Sequence, residues 1–206
     1  QWGCSGNPNR QTRILHVSPT SDGGFLAAGY LLYNVFNIFG DCVPYDADGF
    51  IAKFNSSGNL SWIRIIDAGD WEVATTAFQA SDGNYVLLAP SFNEVGVLKF
   101  NTSGTLLWQR RYPRPIAGDL MFSWGKPASD GGFIVATHIR QSGPPRDDAL
   151  FMKFNSSGDF VCAARIATSE NDYGIDVVEG ANYYWMTGSL GINGNDLFIA
   201  KIRKTD

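Results

Sequence analysis

The chain repeats one phrase four times: a Ser-Asp-Gly turn, an apolar run, then Lys-Phe-Asn-Ser-Ser-Gly and a second turn. The copies pair Ser21-Asp22-Gly23-Gly24 with Lys53-Phe54-Asn55-Ser56-Ser57-Gly58, Ser81-Asp82-Gly83-Asn84 with Lys99-Phe100-Asn101-Thr102-Ser103-Gly104, and Ser129-Asp130-Gly131-Gly132 with Lys153-Phe154-Asn155-Ser156-Ser157-Gly158. A worn fourth copy pairs Glu179-Gly180-Ala181-Asn182 with Lys201-Ile202-Arg203. The turn recurs at steps of 60, 48 and 50 residues and the lysine at 46, 54 and 48. Units of this size cannot bury a core alone and cover their apolar faces by stacking; the spacing is that of propeller blades.

Within each repeat the pattern predicts four strands. The first is small and β-branched, as in Val73-Ala74-Thr75-Thr76-Ala77-Phe78, and suits a crowded central axis. A two-residue Asp-Gly hairpin follows. The second strands, Phe25–Tyr30, Tyr85–Ala89 and Phe133–Thr137, are nearly continuous apolar runs, which indicates burial on both faces. The third opens on an acid five residues before the lysine (Asp48, Glu94, Asp148, Asp196), expected to satisfy local backbone N–H groups in every repeat alike. The fourth carries Trp62 and Trp108 with Arg64, Arg110 and Arg165, the tryptophans being plates between blades, with Cys162 as a small buried hydrophobe in the third repeat's tryptophan place.

The expected fold is therefore all-β: a four-bladed β-propeller of four-stranded antiparallel blades, one domain over residues 1–206, with repeats at about 12–66, 71–112, 120–167 and 173–206. The last repeat ends after its third strand. Trp2 lies 19 residues before Ser21, as Trp62 lies 19 before Ser81, so residues 1–5 align with the missing fourth strand. That strand is expected to complete the last blade in cis, or in trans in a neighbouring subunit, covering exposed sheet edges.

The repeated phrases resemble those of secreted archaeal and bacterial β-propeller repeat proteins over nearly all of residues 12–206. The resemblance implies an extracellular or cell-surface scaffold, often without enzyme activity. The chain departs from strict repetition at Arg203, where the sequon is lost, at Cys162, and in a long first-repeat insertion from Leu31 to Asp46.

A net charge of −4 and the absence of a basic run argue against nucleic acid as a partner. No apolar stretch reaches the roughly 18 residues expected of a membrane span. There is no charged-then-apolar leader pattern, so the chain is expected to be either mature after leader removal or never exported. Four Asn-x-Ser/Thr triplets favour export: Asn55, Asn101 and Asn155 share one place in three repeats, and Asn59 follows the first. Asn and Ser before Gly are also good turn formers in their own right. Cys4 and Cys42 lie in irregular segments and are expected to pair, tying the first insertion to the N-terminus.

No residue set suggests catalysis, a metal or a cofactor. His16 and His138 read as ordinary strand histidines, and for Asp147-Asp148 or Asp46/Asp48 to act as a glycosidase pair would need a defined separation across a sugar site, which sequence does not supply. The chain is thus expected to be a non-catalytic structural protein, N-glycosylated and assembling with itself into a fibre or surface layer. The alternative is a monomeric lectin-like propeller binding surface glycans or other extracellular proteins. Either would use the aromatics of the insertion, Tyr33, Phe36, Phe39 and Tyr45, as an interaction loop.

Overall fold

A computed structural model of the chain describes residues 10–36, 42–67, 73–91, 94–113, 119–120, 124–140, 147–191 and 196–204. These form four antiparallel sheets in a propeller-like, all-β arrangement. The first contains β1 (Arg10–Pro19), β2 (Phe25–Phe36), β3 (Cys42–Phe54) and β4 (Leu60–Ile66). The second contains β5 (Thr76–Gln79), β6 (Tyr85–Ser91), β7 (Glu94–Phe100) and β8 (Leu106–Pro113). In the third, β9 (Asp119–Leu120) and β10 (Trp124–Pro127) both pair with β11 (Phe133–Arg140), followed by β12 (Asp147–Phe154) and β13 (Phe160–Ile166). The fourth has three strands among the described residues: β14 (Asp172–Glu179), β15 (Tyr183–Leu190) and β16 (Asp196–Arg203). Apart from the short β9, which pairs with β11, every sheet is a meander whose neighbours are consecutive in sequence.

The sheets bury their faces in series. Leu26, Ala28 and Ile51 of the first meet Tyr85, Leu87 and Phe100 of the second. Val86, Leu88 and Val97 of the second meet Phe133, Val135, Met152 and Phe154 of the third. Ile134, Ala136 and Phe151 of the third meet Val177, Tyr184 and Met186 of the fourth. Alternation along each strand sends one set of side chains forward to the next sheet and the other back, which explains the continuous apolar runs. Each fully buried Leu, Ile or Phe here contributes roughly 1.5–3 kcal/mol relative to exposure. The inner strands touch in the same order, β1 with β5, β5 with β10 and β10 with β14.

Three expectations about local structure are corrected. The Ser-Asp-Gly turns are three-residue rather than two-residue loops: Thr20 N donates to Gly24 O at 2.9 Å and Gly23 N to Thr20 O at 3.0 Å, leaving Ser21-Asp22-Gly23 as the loop with Gly23 at φ +80°. The fourth turn is one residue shorter, so Glu179 ends β14, paired with Tyr184, and is not part of the turn. The first-repeat insertion is a hairpin extension: the β2–β3 ladder runs on through Tyr33↔Asp46 and, past a bulge, to Phe36↔Cys42. Aromatic and β-branched residues there continue the strand ladder, which keeps the backbone groups paired.

Candidate functional site

The repeated phrase proves to be a set of clasps. In three sheets the aspartate of the first turn meets the lysine of the third strand, with Nζ–Oδ2 distances of 2.9 Å for Lys53–Asp22, 2.7 Å for Lys99–Asp82 and 2.8 Å for Lys153–Asp130. The lysines are 3%, 5% and 3% exposed, which a cation tolerates only when partnered. In the first and third sheets Nζ also donates to the Phe54 or Phe154 carbonyl at 2.7 Å, lying over Gly24 or Gly132, where a Cβ would sit 2.5 Å from Nζ. Asp22 is held well below the usual carboxylate range, first by the Thr20 hydroxyl and then by Lys53 and the Gly24 N–H. Burial alone would raise Asp82 and Asp130, but the lysine and the backbone N–H groups outweigh it and lower both.

The second turn is held by its asparagine. Asn55 Oδ1 accepts from Ser57 N and Asn59 N at 3.0 and 2.9 Å. Asn101 Oδ1 accepts from Ser103 N, Ser103 Oγ and Thr105 N, and Asn155 Oδ1 from Ser157 N and Asp159 N, while Asn155 Nδ2 donates to Asp159 Oδ2. The preceding sheet grips two of these turns. Trp62 Nε1 donates to Thr102 O at 3.0 Å and Arg64 Nε to Gly104 O at 2.7 Å; Arg110 Nε donates to Ser157 O at 3.1 Å. The tryptophans press on the turn glycines, so that a Cβ on Gly104 or Gly158 would lie 2.7 or 2.6 Å from the ring of Trp62 or Trp108. Among the described residues the first sheet's turn carries no such plate: nothing lies within 4 Å of a Cβ on Gly58. Accordingly Asn55 and Asn59 are exposed, whereas Asn101 and Asn155 are half-buried.

This accounts for the departures from the repeat. Cys162, opposite Lys153 as Trp62 is opposite Lys53, is half-buried and free, and the described residues of the fourth sheet offer no Asn-Ser-Ser-Gly turn for a tryptophan to cover. Arg165 is not the equivalent of Arg64 and Arg110, because it lies one position further along β13 and pairs with Asp148 at 2.6 Å. The acids opening the third strands are not alike: Asp48 and Asp148 are buried, while Asp196 is exposed. The Lys–Asp clasp itself escaped the sequence reading, although its two residues recur in the same three repeats and the aspartate is missing from the fourth.

The fourth sheet is different. Its forward face presents Val178, Trp185, Leu197 and Ile199 to solvent, with Leu197 83% and Ile199 72% exposed. The corresponding Gly49 and Ile51 of the first sheet are buried. Lys201, without an aspartate, is exposed and sits 3.8 Å from the Tyr183 ring centre and 5.5 Å from that of Trp185. Between strands β10 and β14, Lys126 Nζ meets Asp176 Oδ2 at 2.7 Å, joining the third and fourth sheets. Burial lowers the pKa of His16, on the first sheet, and His16 feels the charges of both Lys126 and Asp176. His138 packs edge-on against Tyr173, 4.9 Å between ring centres.

Of the other predicted residues, Tyr33 and Phe36 fall on β2 and Tyr45 on β3, in the extended hairpin, while Phe39 lies outside the described residues. Cys42 opens β3; Cys4, its expected partner, and the expected closing strand at residues 1–5 also lie outside them.

No protein-family model matches the chain, and no curated protein does. Among solved structures it is similar to a dihydro-heme d1 dehydrogenase, NirN, in complex with DHE, at 12% identity and a TM-score of 0.43, covering 94% of this chain and 48% of that one. The chain thus spans about half the length of that protein. The expectation that the chain is not an enzyme is corrected on this finding. Fold does not fix function, so an all-β sheet array without a recognisable catalytic motif is no ground for excluding activity. At that identity and TM-score the likeness assigns no activity to this chain.

Proposed function

We propose that the chain is a glycosylated extracellular subunit that assembles with copies of itself into a fibre or surface layer, built as one four-bladed β-propeller domain. The observation that carries this reading is the fourth sheet: three described strands, with an apolar forward face whose counterparts in the other three sheets are covered. Such a face and a β16 edge with no partner strand among the described residues call for a strand and an apolar cover. The N-terminal segment, with Trp2 in the fourth-strand register, supplies that strand to the next copy, giving a head-to-tail chain held by backbone hydrogen bonds. The hairpin end bearing Tyr33, Phe36 and Tyr45 adds a second contact. Export and N-glycosylation follow from the four sequons.

The test is removal of residues 1–9 with electron microscopy and light scattering beside circular dichroism. Full-length chain is expected to form extended assemblies, and the truncated chain to remain a folded monomer. A full-length chain that stays monomeric at high concentration overturns the proposal. General unfolding of the truncated chain assigns the strand to closure within one molecule.

A further inference from the structure

The four sequons are not equal in the folded chain. Resting on the reading of this chain as a glycoprotein, we propose that Asn59 carries the N-glycan and that the three repeat-aligned asparagines are turn staples. Asn55, Asn101 and Asn155 each hold their turn through Oδ1, and Asn155 commits Nδ2 to Asp159 as well. Asn101 and Asn155 are further enclosed by Trp62 with Arg64 and by Trp108 with Arg110. The turn therefore explains why those positions are asparagine.

Asn59 has no such explanation. Its backbone closes the turn, donating to Asn55 Oδ1 at 2.9 Å and accepting from Asn55 N at 2.9 Å, while its side chain is exposed and makes no hydrogen bond among the described residues. The equivalent residues are Thr105 and Asp159, so the turn does not require asparagine at this position. Ser61, the third residue of the sequon, is exposed on β4, the outer strand of the first sheet. Among the described residues nothing lies within 4 Å of a Cβ on the neighbouring Gly58. Among the described residues, a sugar on Asn59 Nδ2 costs the fold no hydrogen bond.

The transfer itself is ordinary glycosyl transfer. Nδ2 forms a bond to the anomeric carbon of a sugar carried on a lipid-linked phosphate, the bond from that carbon to the phosphate oxygen breaks, and the lipid phosphate departs. One Nδ2 proton passes to a base of the transferase.

The experiment is glycopeptide mapping of the full chain secreted from an N-glycosylating host, with electron-transfer fragmentation to separate Asn55 from Asn59 on their shared tryptic peptide. The expected result is a hexose-containing increment on Asn59, with Asn101 and Asn155 bare. Asn59→Gln is expected to abolish it without moving the melting temperature, whereas Asn55→Gln keeps the glycan and lowers the melting temperature. A glycan on Asn101 or Asn155, or on Asn55 with Asn59 bare, overturns the assignment while leaving the glycoprotein reading intact. A secreted chain bare at all four sequons overturns both.

Discussion

Gly58 and Gly158 occupy the same place in two turns and have nearly the same backbone, with φ of +78° and +82°, but among the described residues only Gly158 lies under a tryptophan. Replacing Gly58 by Ala places a Cβ in the left-handed region and in open space, so it should cost about 1 kcal/mol. In a chain of this length that lowers the melting temperature by about 2–4 °C. Gly158→Ala carries the same strain and also drives a Cβ to 2.6 Å from Trp108 Cη2, against ordinary contact near 3.5–4.0 Å. Forcing the ring off its seat should add about 1–3 kcal/mol of overpacking cost. The second melting temperature should therefore fall by about 2–12 °C more than the first, at the same rate of about 2–4 °C per kcal/mol. Thermal denaturation followed by circular dichroism measures both, and a double-mutant cycle with Trp108→Leu isolates the ring: in that background Gly158→Ala should cost no more than Gly58→Ala. Equal losses for the two alanines in the parent chain would refute the argument that the inter-sheet grip passes through this contact.

Other predictions follow from the clasps. Asp130→Asn leaves the buried Lys153 ammonium without its counter-charge and should cost about 2 kcal/mol, below the range for a fully buried pair because Asp130 is half-exposed, as read from urea denaturation midpoints. Since Asp130 has a folded pKa below its ordinary value of 3.8, its contribution is present above that value and is lost as pH falls through the lowered pKa; the variant should lose that acid limb of the stability profile. His16 works from the other side: burial lowers its pKa below 6.5, so the unfolded chain binds the extra proton and stability falls as pH drops from 6.5 towards the folded value. An NMR titration of the imidazole and a flatter profile in His16→Gln check this. Asn101→Ala removes three accepted hydrogen bonds and should cost about 1–2 kcal/mol, whereas Asn59→Ala should be nearly neutral in the same melt.

The period of the phrase, the Asp-Gly turns and the apolar second strands were enough to predict an all-β array of stacked meanders, because strand alternation and turn chemistry are local properties of the chain. Turn length was less legible: two-residue and three-residue loops both accept Asp-Gly, and only the Thr20–Gly24 pairing separates them. The insertion looked like a loop because pairing of Tyr33 with Asp46 depends on a partner strand, not on either residue alone. The sequons showed where asparagine recurs, but which of them is half-buried depended on whether a tryptophan from the preceding sheet arrives over the turn, a contact made across 40 residues of chain between Trp62 and Thr102. The same holds for the lysines: one residue type in one phrase is buried and paired with aspartate in three sheets, and exposed over Tyr183 in the fourth. Sequence alone determined the strand-and-turn grammar of this protein. Tertiary structure decided which copies of it are covered, since burial is a property of neighbours that the repeated phrase does not contain.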